Sequence, residues 1–135
     1  MSRRYILDTD ICINARRQRS AALLARFNSL QRGEAVLSVI TYGELLYGAR
    51  KSTESKRAMQ IIEEFANLFE ILPVTEETAQ THGLLRCDLA TTGQIIASND
   101  LWIAAHALLL GLTLVTGNER EFRRVVGLKV ENWIR

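Results

Sequence analysis

Proline, cysteine and net charge are all scarce in this chain. Its 135 residues include one proline and two cysteines, and the formal net charge is only +2 at pH 7. Such a charge is too small to indicate a nucleic-acid partner by itself. A hydrophobic fraction of 47% and a charged fraction of 24% are typical of a globular chain that buries one core. We therefore expect a single domain over residues 1–135.

Long apolar runs are also missing. The longest, Ile103–Leu110, contains His106 and is too short to span a bilayer, and the N-terminal run Tyr5–Leu7 is too short for the core of a signal peptide. Cys12 and Cys87 form no C-x-x-C pair and are too few for a disulfide framework, which favours a reducing compartment. We expect a cytoplasmic protein with no membrane partner.

Short apolar runs alternate with segments of helical periodicity. The runs predict strands at Tyr5–Leu7, Ala35–Leu37, Ile71–Val74, Leu112–Val115 and Leu128–Val130. The periodic segments predict helices at Asp10–Arg17, Ser20–Leu30, Ile40–Ala49, Glu54–Phe69, Thr75–Thr92 and Leu101–Leu110, with a helical turn at Glu119–Arg124. This alternation is typical of an α/β fold with a largely parallel sheet.

Acidic and amide side chains follow several of the predicted strands. The candidates are Asp8, Glu44, Asp100, Asn118 and Glu121. Ligand sites in open parallel sheets form at the carboxyl ends of the strands, so these groups are expected to converge on one edge. Clustered carboxylates repel one another, and hard oxygen ligands select Mg²⁺ or Mn²⁺. The pattern predicts a divalent cation site.

Each acid also has a purely structural interpretation. Thr41 and Glu44 match the S/T-x-x-E capping box, in which Glu44 would satisfy helix-start amides. Asp100 could complement a helix dipole, and Asp8 and Asp10 could cap the helix that follows them. Both interpretations stay open at the level of single residues.

Three blocks in this order carry a family resemblance: ILDTDICI, LSVITYGELLYGARKS and SNDLWIAAHALLLGLTLVTGNEREFRRVVGLKVENW. Together they resemble the PIN-domain ribonucleases of the VapC toxin family. The resemblance implies a PIN-like three-layer sandwich, with a short, mostly parallel central sheet flanked by helices. It also implies hydrolysis of RNA phosphodiester bonds, with the anticodon loop of initiator tRNA as the first substrate to test.

The resemblance assigns roles to the acidic residues. It implies that Asp8, Glu44 and Asp100 are catalytic and hold Mg²⁺, for which Mn²⁺ is a possible substitute. The fourth acidic position of many relatives is Asn118 here, and Glu121 is a further catalytic candidate.

Several neighbouring positions depart from the family or have less certain roles. Asp10 replaces the more usual asparagine of the D-T-N start and stays outside the core set. Thr116 is expected to orient a water or ligand, whereas His106, on an apolar helix face, is expected to be structural. The segment GQIIASND departs from the commoner G-x-x-I-G-x-x-D pattern, so substrate preference is expected to differ.

The resemblance also implies partners. These are a VapB-type antitoxin whose C-terminal segment covers the active-site groove, a second copy of the chain in a homodimer, and a toxin–antitoxin hetero-oligomer that reaches promoter DNA only through the antitoxin. Apolar residues in Ile40–Ala49 and Ile61–Leu72 fit such a groove and fit a core equally well. Clusters of basic residues would contact RNA phosphates. They are Arg16, Arg17 and Arg19; Arg50 and Lys51; Lys56 and Arg57; and Arg120, Arg123 and Arg124.

Two other functions are compatible with parts of the sequence. One is a PIN-like RNA- or partner-binding module without activity, against which the presence of all three acids argues. The other is a D-x-D phosphatase, suggested by Asp8 and Asp10. It would need a later lysine and a second pair of aspartates, and only Asp100 is found there.

Overall fold

A five-stranded sheet forms the centre of the computed structural model, which describes residues 2–134. The strands are β1 Tyr5–Leu7, β2 Ala35–Ser38, β3 Glu70–Leu72, β4 Thr113–Val115 and β5 Val130–Glu131. Their order across the sheet is β3-β2-β1-β4-β5, and all four pairings of these described strands are parallel. The predicted α/β fold with a parallel sheet is confirmed.

Helices cover both faces of the sheet. They are α1 Thr9–Arg17, α2 Ala21–Ser29, α3 Val39–Lys51, α4 Ser55–Ala66, α5 Glu76–Thr91, α6 Ser98–Leu110 and α7 Glu119–Phe122. Successive strand residues point to opposite faces. Leu7 and Leu37 pack with buried residues of α1 to α4, while Ile6 and Val36 pack with those of α5 and α6. These two cores make the three-layer sandwich that the family resemblance implied.

The segment around the proline differs from its prediction. Helix α4 ends at Ala66, and turn hydrogen bonds follow it, so Leu68 is 70% exposed instead of continuing the apolar face. Strand β3 starts at Glu70 and stops at Leu72, because Pro73 has no N–H to donate to a sheet ladder.

The last strand also lies later than predicted. Leu114 donates its N–H to the carbonyl of Lys129, and Thr116 donates to that of Glu131. These bonds place β5 at Val130–Glu131 instead of Leu128–Val130. The helical turn before it is shorter than predicted and ends at Phe122.

Helix α6 is the most apolar helix and packs between the sheet and α5. It ends at Leu110, as predicted, because the following Gly111 has φ 67° in the left-handed region. Among residues 2–134, no helix is both long enough and apolar enough to cross a membrane.

Candidate active site

The register of β1 against β4 brings Asp8 next to Thr116. Leu7 pairs with Val115, and the backbone N–H of Asp8 donates to the carbonyl of Val115 at 2.9 Å. The first residue after each strand therefore lies beside the other. Thr116 Oγ1 donates to Asp8 Oδ2 at 2.8 Å, and both residues are buried.

Asp8 is both a helix cap and a site residue. Its Oδ1 accepts the N–H of Thr9 at 2.8 Å and so caps α1, as the structural interpretation required. Burial, followed by the negative charge of Asp10, raises the pKa of Asp8 to about 8. Capping therefore accounts for one oxygen of Asp8 but not for its burial beside other acids.

Glu44 is not part of a capping box. Ser38, the last residue of β2, caps α3, so the helix starts before the T-x-x-E pattern and Glu44 falls in its second turn. Glu44 Oε1 accepts the hydroxyl of Thr9, and its Oε2 accepts Asn99 Nδ2 at 3.3 Å. The capping-box hypothesis is wrong, and Glu44 instead links α3 to α1 and α6.

Asp100, in the first turn of α6, lies among the other acids. Its pKa is raised to about 6, first by burial and then by the negative charges of Glu121, Glu44 and Asp10. Glu121 also shares a hydrogen bond with it. The structure thus brings together acids that the sequence distributes over four segments.

Asn118 and Glu121 join the loop after β4 to the segment before α6. The backbone N–H of Asn118 donates to Thr116 Oγ1 at 2.9 Å, and its Nδ2 donates to Glu121 Oε2 at 2.7 Å. Glu121 Oε1 accepts the N–H of Ala97 at 3.0 Å. All five residues predicted for the site therefore lie in one connected group.

The supporting residues Thr9 and Asn99 were missed by sequence reasoning. Each stands directly beside a candidate acid, in the D-T-D and S-N-D triplets. A hydroxyl or amide next to an acid in the sequence indicates a residue that can hydrogen-bond to the site. The tertiary structure shows that Thr9 and Asn99 both donate to Glu44.

His106 does not face the acids. Its Nδ1 lies 2.9 Å from Ser38 Oγ, and burial lowers its pKa, while a hydrogen bond to the backbone of Pro73 acts in the opposite direction. The other histidine, His82, stacks on Trp102 with ring centroids 3.8 Å apart. Both environments are those of structural histidines.

A divalent cation fits the donor set, although the carboxylates must turn toward it. Within residues 2–134 no three His, Cys, Asp or Glu side chains are already arranged to hold a metal ion. Glu44 and Glu121 currently accept hydrogen bonds from neighbours, and Asp10 Oδ1 is buried with no hydrogen-bond partner in this part of the chain. The charges that raise the pKa of Asp8 and Asp100 are all carboxylates. Such a group needs a positive partner.

Comparison with known proteins agrees with this fold. A family model described as "PIN domain" matches residues 5–128. The chain therefore belongs to the PIN-domain family. This match leaves the D-x-D phosphatase alternative without support. PIN-domain ribonucleases in general depend on a divalent metal.

Individual relatives extend over almost the whole chain. The Haemophilus influenzae protein named ribonuclease VapC2 is 41% identical over 97% of this chain and 98% of its own length. The Shigella flexneri protein named tRNA(fMet)-specific endonuclease VapC is 39% identical over 96% and 98%. A crystal structure of DNA-bound VapBC from Salmonella typhimurium superposes with a TM-score of 0.92, at 36% identity over 97% and 98%. The resemblance to VapC ribonucleases is confirmed.

Proposed function

We propose that this chain is the endoribonuclease toxin of a toxin–antitoxin pair, and that it hydrolyses tRNA with Mg²⁺ bound at Asp8, Glu44 and Asp100. Mn²⁺ would substitute for Mg²⁺. The observation that carries the proposal is the convergence of these acids at the carboxyl edge of the parallel sheet, where the charges acting on Asp8 and Asp100 are negative. The relatives named as ribonucleases support it.

Each acidic side chain has its own role in the proposed site. A bound divalent cation supplies a more acidic water and a positive charge against the phosphate. Asp8, fixed by Thr116 and Thr9, and Asp100, at the start of α6, would hold the cation. Glu44 is aligned by Thr9 and Asn99 to contribute directly or through a water.

Asn118 and Glu121 complete the proposed catalytic group. The amide of Asn118 adds no charge where many relatives place an acid, so the cation site has fewer negative ligands at this corner. Glu121 accepts hydrogen bonds from the amide of Asn118 and from the backbone N–H of Ala97, and so fixes the loop after β4 against the segment before α6.

The proposed substrate is initiator tRNA, cut in its anticodon loop. Sequence-specific enzymes of RNA act on exposed single-stranded loops, where bases and phosphates are accessible. The name of the Shigella relative supports this substrate. Arg120 is exposed in α7, two residues beyond Asn118, and is a proposed phosphate contact.

The proposed inhibitor is a VapB-type antitoxin. A groove with a volume of about 240 Å³ runs between α1, α3 and α4. Its floor includes Leu45, Ala49 and Ile62, Arg16 lines one wall, and Glu44 connects it to the acids. An antitoxin segment lying there would cover the site. The DNA-bound VapBC structure from Salmonella typhimurium supports a hetero-oligomer. We propose that this assembly contacts promoter DNA only through the antitoxin and that two copies of this chain form a homodimer within it. Action on tRNA would place the protein in the cytoplasm.

A cleavage assay tests the proposal. Antitoxin-free protein is incubated with total tRNA in Mg²⁺, in Mn²⁺ and in EDTA, with Asp8→Ala as the matched control. Discrete fragments that require both the cation and Asp8 support the proposal, and primer extension then maps the cut. No cleavage under any condition would favour the binding-module alternative. Cleavage that survives Asp8→Ala would contradict the proposed site.

A further inference from the structure

Asp10 lies in the first turn of α1, and its side chain contacts the loop after β4. Its Oδ2 accepts the backbone N–H of Gly117 at 3.0 Å. Its Oδ1 is buried and has no hydrogen-bond partner within residues 2–134. One oxygen of this carboxylate is therefore fixed, and the other is desolvated without compensation.

Gly117 permits this close approach. A Cβ atom at residue 117 would lie 2.6 Å from Asp10 Oδ2 and 2.9 Å from Ile134 Cδ1, well inside van der Waals contact. Any side chain there would displace the carboxylate or the loop. The position of Asp10 is thus determined by backbone packing as well as by its hydrogen bond.

The negative charge of Asp10 is not needed for the loop contact. An asparagine carbonyl oxygen would accept the same N–H of Gly117, and its burial would cost less than that of a carboxylate. The carboxylate nevertheless lies close to the proposed cation ligand Asp8, because Gly117 directly follows Thr116, whose hydroxyl donates to Asp8 Oδ2. A half-buried carboxylate among other acids, with one buried oxygen unpaired, requires a positive partner.

We propose that Asp10 is a further cation-binding residue of this site, whose Oδ2 anchors the loop after β4 and whose buried Oδ1 is an acceptor for the hydrated divalent cation. This inference rests on the proposed metal-dependent function. Relative to a site with Asp8, Glu44 and Asp100 alone, it adds one fixed negative charge next to the neutral Asn118.

Metal binding can be measured separately from cleavage. Metal-free protein is titrated with MnCl₂ by calorimetry, and its melting temperature is recorded without metal. Asp10→Asn keeps the loop contact but removes the charge, so we expect roughly tenfold weaker Mn²⁺ binding and an unchanged or higher metal-free melting temperature. Gly117→Ala displaces the carboxylate and should weaken binding as well. Gly83→Ala, where a Cβ atom meets nothing within 4 Å, is the matched control and should bind Mn²⁺ like the unmodified protein.

Equal Mn²⁺ affinity of Asp10→Asn and the unmodified protein would overturn the role of Asp10 without affecting the rest of the proposed site. If the metal-free melting temperature of Asp10→Asn also fell, Asp10 would serve only the dipole of α1. If the unmodified protein binds no Mn²⁺, both this inference and the proposed cation requirement are wrong. If it binds Mn²⁺ but cuts no RNA, the proposed activity is contradicted, while the comparison of variants still decides the role of Asp10.

Discussion

Thr116 donates its hydroxyl to Asp8 Oδ2 at 2.8 Å, although 108 positions separate them in the chain. The same hydroxyl oxygen accepts the backbone N–H of Asn118. One buried side chain therefore orients the first acid of the site and the loop that carries Asn118. The parallel pairing of β1 with β4 makes this contact possible, because it aligns the carboxyl ends of the two strands.

Thr116→Val should separate this role from simple packing. The substitution keeps the shape but leaves Asp8 Oδ2 and the Asn118 N–H without their partner, so we expect a loss of about 1–3 kcal/mol in the free energy of unfolding. Cleavage of tRNA should fall at least tenfold. Urea denaturation and the tRNA assay measure the two effects. Thr116→Ser retains the hydroxyl and should restore most of both; a serine variant as poor as valine would contradict the role of the hydroxyl.

Asp8→Asn should stabilise the metal-free protein while abolishing cleavage. The pKa of Asp8 is raised to about 8 in the folded state, above an unfolded value of about 3.9. The stability that protonated Asp8 provides is therefore complete below pH 3.9 and is lost as the pH rises through 8. We expect the variant to exceed the unmodified protein by on the order of 2 kcal/mol at pH 8.5, with little difference near pH 4.

Thermal unfolding in EDTA across this pH range measures the difference. Asp88→Asn, at an exposed acid in α5, is the matched control substitution. A constant gap between Asp8→Asn and the unmodified protein from pH 4 to 8.5 would show that the carboxyl does not titrate in this window.

His106→Leu should affect stability and not chemistry. Burial lowers the folded pKa of His106, so the stability provided by the neutral ring is complete above about pH 6.5 and is lost as the pH falls through the folded value. The variant should be about 2 kcal/mol less stable at pH 7.5, and this gap should narrow toward pH 5. Cleavage by the folded variant at 25 °C should match that of the unmodified protein. A hundredfold loss would instead make His106 a participant in catalysis.

Gly48→Trp should fill the groove between α1, α3 and α4. A Cβ atom at Gly48 meets nothing within 4 Å, so the indole can enter the groove without displacing α3. We expect binding of the proposed VapB-type antitoxin to weaken about 100-fold, with tRNA cleavage within a fewfold of normal. Calorimetry with the purified antitoxin measures the affinity. Gly83→Trp in α5, outside the groove, is the control, and an undiminished complex with Gly48→Trp would place the antitoxin elsewhere.

Local sequence patterns predicted much of the fold. Apolar triplets such as Tyr5–Leu7 and Ala35–Leu37 predicted the central strands, because strands buried on both faces are continuously hydrophobic. The helices predicted to start at Ser20 and to end at Leu110 have these limits because Ser20 caps α2 and Gly111 caps α6, and both caps depend on neighbouring residues only. The errors were at boundaries such as β3 and β5, where hydrogen bonds from adjacent strands decide which residues pair.

For the candidate site, the sequence by itself determined which residue types are present and that they follow strands. It left Glu44 with two interpretations, because the T-x-x-E pattern is the same in a cap and in a catalytic site. Tertiary structure decided between them: Ser38 pairs with Leu72 in the sheet and caps α3, which moves Glu44 into the second turn beside Thr9. The contact of Asp8 with Thr116 and the unpaired oxygen of Asp10 likewise depend on strand register. Register between strands that are distant in the chain depends on which hydrophobic faces pack together, and no single segment specifies this.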